Sequence, residues 1–136
     1  MKLLLVEDDA AILDGLAFCL KKEGFDVFCA SCGKRAQEAI KKEVFDLLLL
    51  DINLPDMNGL KLYQEIKKNQ DIPTIFLTAN DSELTIVEAL DSGADDYITK
   101  PFKTRELISR VHSVLRRVKK EESNIIRIQD ITIYLN

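Results

Sequence analysis

Four short runs of strand-forming residues in this chain each stop on a side chain suited to phosphate chemistry. Leu3-Leu4-Leu5-Val6 runs into Glu7-Asp8, and Leu47-Leu48-Leu49-Leu50 runs into Asp51. Ile75-Phe76-Leu77 ends on Thr78, and Tyr97-Ile98-Thr99 ends on Lys100. A carboxylate such as Asp51 can attack a phosphoryl group and form an aspartyl phosphate. Glu7, Asp8 and Asp51 held together would repel one another and bind protons unless a cation joined them. Mg2+ suits oxygen ligands and keeps several waters. Bound there, it would neutralise the charge of a phosphoryl donor. The backbone carbonyl of Asn53 is a further candidate ligand, which would explain the tight turn after Asp51. Thr78 could donate a hydrogen bond to one phosphoryl oxygen, and Lys100 could pair with another as a compact point charge. Phosphoryl transfer asks mostly for positioning and electrostatic stabilisation. Singly, each residue has an ordinary reading. Acids after a strand often cap the next helix, as Asp9 is placed to do, and a lone Thr or Lys at a strand end is usually solvated. Four such positions at one sheet edge favour the joint chemical reading.

The residues share an edge only if the runs are parallel strands of one sheet. Leu47 to Leu50 is apolar throughout and is followed by a segment of turn formers. That pattern reads as a strand buried on both faces, which belongs to a parallel sheet. Strands are predicted over residues 2–6, 26–30, 47–50, 74–77 and 97–99. A helix on Ile12, Leu16 and Leu20 is expected to stop at Gly24. Others are expected over 31–43 on Ala36, Ala39 and Ile40, and over 59–68 on Leu60, Leu62, Tyr63 and Ile66. A fourth spans 83–91, with Asp81 or Ser82 as its cap. The last, over 104–118, carries Leu107, Ile108, Val111, Val114, Leu115 and Val118. Strands and helices alternating at this pace mean βαβ units. The fold class is therefore α/β, a (βα)5 doubly wound parallel sheet of flavodoxin-like type with strand order 2-1-3-4-5. In open sheets of this kind ligands bind at the carboxyl ends of the strands.

Past residue 118 the pattern changes. Lys119-Lys120-Glu121-Glu122-Ser123-Asn124 is polar and reads as a linker over 119–124. Ile126 and Ile128, then Ile131, Ile133 and Leu135, alternate as in a pair of strands. Two strands are marginal alone, so residues 125–136 are expected to begin a second domain cut short at the chain end. The alternative is an arm that docks on the first domain.

A chain of 136 residues fits one domain with a sizeable core. Its net charge of -4 argues against nucleic-acid binding through a broad basic surface. No apolar run is long enough to cross a membrane. The N-terminal run turns acidic at Glu7, too soon for a signal peptide, so the cytoplasm is the expected location. Cys19, Cys29 and Cys32 are expected to be reduced thiols. Cys29 and Cys32 have redox spacing, but Cys29 ends a strand instead of opening a helix, and two further metal ligands are not apparent. His112, the single histidine, lies on the last helix away from the proposed site. Arg116-Arg117 and Lys119-Lys120 are expected to complement a helix C-terminus and not to contact DNA.

Five segments carry a resemblance to a known family. Leu4-Leu5-Val6-Glu7-Asp8-Asp9, Leu50-Asp51-Ile52-Asn53-Leu54-Pro55-Asp56-Met57-Asn58-Gly59, Leu77-Thr78-Ala79, Gly93-Ala94-Asp95-Asp96-Tyr97 and Thr99-Lys100-Pro101-Phe102 resemble the receiver domain of bacterial two-component response regulators. The resemblance covers residues 1–118. It implies a sensor histidine kinase that donates a phosphoryl group to Asp51, with Mg2+ held by Glu7, Asp8, Asp51 and the Asn53 carbonyl. It implies that the chain catalyses only its own phosphotransfer and slow autodephosphorylation. It also implies a cis peptide before Pro101, and a switch in which Thr78 moves toward the phosphate while Tyr97 turns inward. Asp95-Asp96-Tyr97 and the Arg-rich last helix look most like the winged-helix transcription factor subfamily, the OmpR/PhoB type. That likeness implies a homodimer through the fourth helix, fifth strand and fifth helix, with Asp95 or Asp96 facing Arg110 or Arg117 of a second copy. The family often sets a basic residue on the fourth helix against the acid at Glu106. Ile86 occupies that position here, and a hydrophobic contact could replace the salt bridge. Residues 125–136 resemble the first strands of the winged-helix domain. DNA binding would then belong to an effector domain mostly absent from this chain.

Rival chemistries lack parts. A haloacid-dehalogenase type hydrolase wants a second acid two residues after its nucleophile, where this chain has Asn53, and its nucleophile would lie on the first strand of the core. A flavin-binding module needs a phosphate-cradling loop after the first strand, and Glu7-Asp8-Asp9 would repel a phosphate. A receiver that stands alone and acts by protein-protein contact is the closest alternative.

Overall fold

The computed structural model describes residues 1–79 and 83–135, with the backbone alone at Glu83 and at residues 122–135. Strands and helices alternate: β1 (Lys2–Val6), α1 (Ala10–Lys22), β2 (Asp26–Ala30), α2 (Gly33–Lys42), β3 (Leu47–Asp51), α3 (Gly59–Asn69), β4 (Thr74–Thr78), α4 (Glu83–Asp91), β5 (Asp96–Thr99) and α5 (Thr104–Leu135). The strands form one parallel sheet in the order β2-β1-β3-β4-β5, the (βα)5 flavodoxin-like arrangement expected from the sequence.

The side-chain period of two divides the core between the two sheet faces. Leu3, Leu5, Leu47, Leu49, Ile75 and Leu77 pack against Leu16 and Leu20 of α1 and Leu107, Val111 and Val114 of α5. Leu4, Val6, Leu48, Leu50 and Phe76 pack against Ile40 of α2, Leu62, Tyr63 and Ile66 of α3, and Ala89 of α4. With helices on both faces, all four leucines of β3 are fully buried. That double cover explains why β3 reads as an unbroken apolar run. Asp9 caps α1 by accepting from the Ala11 and Ile12 amides. The cap expected from Asp81 or Ser82 lies outside the described residues.

The C-terminal end departs from expectation. The linker read into 119–124 and the strand pair read into 125–136 are replaced by α5, which continues as helix to Leu135. No glycine or proline follows Pro101, and Lys119-Lys120-Glu121-Glu122 are strong helix formers, so nothing stops the helix at Val118. Alternating isoleucines make a strand pair only with further sheet to pack on. A helix satisfies its backbone locally and needs no such partner.

Candidate functional site

Every strand except β2 delivers a site residue at its carboxyl end. Asp51 is the last residue of β3 and Thr78 the last of β4, while Glu7 follows β1 and Lys100 follows β5. The parallel register pairs Val6 with Leu50, Asp51 with Leu77, and Thr78 with Thr99. Glu7, Asp51 and Thr78 thus stand side by side, all three buried. The Lys100 amide donates to the Thr78 carbonyl at 2.7 Å, which sets Lys100 beside β4. The Lys100-Pro101 peptide is cis.

The Lys100 ammonium bridges the two buried acids, 2.6 Å from Glu7 Oε1 and 3.1 Å from Asp51 Oδ2. Burial favours its neutral form, but the hydrogen bonds to Glu7 and Asp51 outweigh that and raise its pKa. One ammonium does not balance both acids. Burial first, then the neighbouring Asp51 carboxylate, pushes Glu7 up to about 8 against the opposing pull of Lys100. Glu7 Oε2 is buried with no hydrogen-bond partner among the described residues. Oxygens of Glu7, Asp8 and Asp51 lie within 4.8 Å of one another. An orphaned buried carboxylate oxygen beside two further hard oxygen donors, one on exposed Asp8, fits a small divalent cation such as Mg2+.

The turn after Asp51 is tied to it. The Asn53 amide donates to Asp51 Oδ1 at 3.0 Å, and the Gly59 amide donates to the Ile52 carbonyl at 2.7 Å. A Cβ at Gly59 would strike the Asp51 carbonyl oxygen and Ile52 Cα, so no larger residue fits there. Because Glu7 must lose its proton to ligate a cation, binding is expected to release protons below about pH 8. Affinity should rise roughly tenfold per pH unit as that pH is approached from below. Calorimetric Mg2+ titrations in buffers of different ionisation enthalpy measure this directly; a proton-free titration at pH 7 would contradict the burial argument.

The remaining candidates lie apart from the acids. Tyr97 on β5 is half-buried against the core under α2, α3 and α4. Asp96 accepts from Arg110 at 3.0 Å, Glu106 from Arg110 at 3.3 Å, and the Asp95 carbonyl from Arg117 at 3.4 Å. The Asp95 carboxylate accepts from the Thr74 amide at 2.9 Å. These groups, assigned from sequence to a contact between copies, are paired within one chain here. Leu84, Val87 and Leu90 are exposed on α4 and were not singled out from sequence; the α4 apolar pattern would have signalled them, since apolar residues recur on more than the core-facing side. The three cysteines are free thiols. His112 sits by Glu23 at 3.4 Å and against the Phe25 ring, away from the acids. No described helix is long and apolar enough to cross a membrane.

The sequence pattern of the family described as response regulator receiver domain matches residues 3–112. Solved structures agree. A Francisella response regulator receiver domain is 36% identical over 86% of this chain and 98% of its own, with a TM-score of 0.81. The BeF3-activated N-terminal receiver domain of Klebsiella pneumoniae RstA is 36% identical over 85% of this chain and 99% of its own, with a TM-score of 0.80. Thermotoga maritima DrrB, an OmpR/PhoB homolog, is 32% identical with a TM-score of 0.78; the match covers 85% of this chain and 52% of that one.

Proposed function

The chain belongs to the response regulator receiver domain family, and on that premise we propose that it is a phosphorelay response regulator whose Asp51 takes a phosphoryl group from a sensor histidine kinase. One observation carries the reading: the buried Asp51 carboxylate lies beside Lys100 within a cluster of acids that fits a divalent cation. An Asp51 oxygen forms a bond to phosphorus as the phosphorus–nitrogen bond of a phosphohistidine breaks. The bonding pair leaves with the imidazole nitrogen, and Asp51 becomes an acyl phosphate. Glu7, Asp8, Asp51 and the Asn53 carbonyl would hold Mg2+, which when bound would supply positive charge to the phosphoryl oxygens. Lys100 exchanges its Asp51 contact for a phosphoryl oxygen, and the Thr78 hydroxyl donates to another. Tyr97 turns inward as Thr78 shifts, which carries the change from the site to β5. The chain acts only on itself, by phosphotransfer and slow autodephosphorylation, and so is not an enzyme with a separate substrate.

The proposed setting is the cytoplasm, and the proposed output is OmpR/PhoB-like. Phosphorylated copies pair through α4, β5 and α5, where Leu84, Val87 and Leu90 offer apolar area and Asp95, Asp96, Arg110 and Arg117 offer charge. Dimerisation would in turn control DNA binding and transcription by an effector domain, with residues 1–118 as receiver, 119–124 as connection and 125–136 as the beginning of that domain. A stand-alone receiver acting by protein contact is favoured by one observation, the unbroken helix of α5 through those last segments.

The test is incubation with acetyl phosphate. The expected label requires Mg2+, is blocked by chelation and is released by hydroxylamine, as an acyl phosphate must be. A label formed without a divalent cation, or stable to hydroxylamine, would overturn the reading. Beryllofluoride with Mg2+ is expected to convert monomer to dimer in sedimentation, and an unchanged monomer mass would remove the dimer from the proposal.

A further inference from the structure

The loop between β3 and α3 is clasped to a helix it does not belong to. Helix α2 opens at Cys32, whose side chain makes no capping hydrogen bond. The cap comes instead from Asp56, far off in sequence. Its Oδ1 accepts from the Gly33 amide at 2.8 Å and its Oδ2 from the Lys34 amide at 2.9 Å. Those two backbone donors also hold the Asp56 carboxyl below its usual range. Beside it, the Met57 side chain packs onto Gly33 so closely that a Cβ there would run into the Met57 sulfur.

At its other end the same loop closes on the phosphoacceptor. Asn53 and Asn58 form an antiparallel bridge across its neck. The Asn53 amide donates to Asp51, and the Gly59 amide donates to the Ile52 carbonyl. Neck and tip are therefore parts of one short, closed loop. What fixes the tip to α2 also fixes the direction of the Asn53 backbone at Asp51.

We propose that Asp56 is a positioning residue for the cation site: its fork onto the first turn of α2 holds the 53–58 loop so that Asn53 is preset beside Asp51. This rests on the reading of Asp51, Glu7 and Asp8 as that site. The described hydrogen bonds of Asp56 go to the Gly33 and Lys34 amides and not to the acids. Its influence passes through the loop, as outer groups orient metal ligands elsewhere. Groups of this kind typically change metal affinity by about 10–100-fold when removed.

The experiment titrates the unphosphorylated protein with Mn2+ alone, following the loss of free-ion electron paramagnetic resonance signal, and then measures acetyl phosphate labelling across a range of Mg2+. Asp56→Ala is expected to weaken Mn2+ binding about tenfold. It should raise the Mg2+ needed for half-maximal labelling by a similar factor and leave the rate at saturating Mg2+ unchanged. A loss of stability would not produce that split in a variant that circular dichroism shows to be fully folded without added cation. Asp56→Asn, which keeps one acceptor oxygen, is expected to fall between wild type and alanine. Lys34→Pro removes one of the two amide donors from the other side of the clasp. Its effect and that of Asp56→Ala should not add, because both break the same contact, and it serves as the probe if Asp56→Ala fails to fold. Mn2+ affinities within twofold of wild type in these variants would overturn the proposal. A wild-type protein that binds no Mn2+ would instead overturn the reading of the acids themselves.

Discussion

Lys100→Met is expected to destabilise the cation-free protein by about 2–4 kcal/mol, and Mg2+ is expected to restore most of the loss. The ammonium is the counter-charge within 3.1 Å of both Glu7 and Asp51, whose side chains are almost wholly buried. Orphaning a buried charge typically costs about 3–5 kcal/mol. The loss here should be smaller because Glu7, already pushed up to about 8, can take a proton when the ammonium is gone. The sign of the pH dependence follows from that group. Its folded pKa lies above the ordinary carboxylate value, so between the two the folded protein holds more protons than the unfolded chain. Stability from this group therefore falls as pH rises from about 4.5 to about 8. Without Lys100, whose charge holds the Glu7 pKa down, that fall should continue to higher pH.

A divalent cation at the acidic cluster would do for the two acids what the ammonium does, and it would bind only the folded chain. It therefore stabilises the variant more than the wild type, where it must share the acids with Lys100. Urea denaturation of both proteins with and without Mg2+ provides the check. A Lys100→Met protein as stable as wild type in chelator would show that the bridge is not what neutralises the acids. Phosphoryl uptake should persist in the variant at a reduced level, because Asp51 and the cation ligands remain. The response at Thr78 and Tyr97 should be lost, since no ammonium is left to shift from carboxylate to phosphoryl oxygen.

What was readable in the sequence, and what was not, divides by distance along the chain. Leu47-Leu48-Leu49-Leu50-Asp51 states its own burial, and βαβ alternation orders its neighbours, so the edge that carries Glu7, Asp51, Thr78 and Lys100 could be assembled from local patterns. The state of those groups could not. That Lys100 spans Glu7 and Asp51, and that Glu7 Oε2 is left without a partner, depends on contacts across three strands. Asp56 reads in sequence as one more turn residue because the helix amides it caps lie more than twenty residues earlier. Asp96 and Arg110 are expected from the sequence to face each other across two copies, and their pairing within one chain depends on how α5 crosses β5. The strand pair read into 125–136 shows the converse. An alternating pattern is a strand only when there is a sheet to join, and α5 runs through it as helix.

The second large effect is the loss of phosphoryl uptake in Asp51→Ala. Three acids lie close enough to share a cation, and two of them are buried. Only Asp51 combines a place at the end of the central strand, contact with Lys100 and the hydrogen bond from Asn53. Glu7 has a stronger contact with Lys100 at 2.6 Å, but it is fully enclosed and its free oxygen points to the cation role. Asp8 is exposed, outside the reach of the ammonium among the contacts described. Replacing Glu7 or Asp8 should therefore weaken cation binding and raise the Mg2+ needed for labelling, whereas replacing Asp51 removes the atom that forms the bond.

The most direct measurement is intact mass after incubation with acetyl phosphate and Mg2+, for the wild type and for Asp51→Ala side by side. The wild type is expected to gain the mass of one phosphoryl group, and the variant, shown to be folded by its circular dichroism, is expected to gain none. A phosphoryl group that still appears on Asp51→Ala, or a wild type that stays unmodified with Mg2+ bound, would contradict the assignment of Asp51 as the phosphoacceptor.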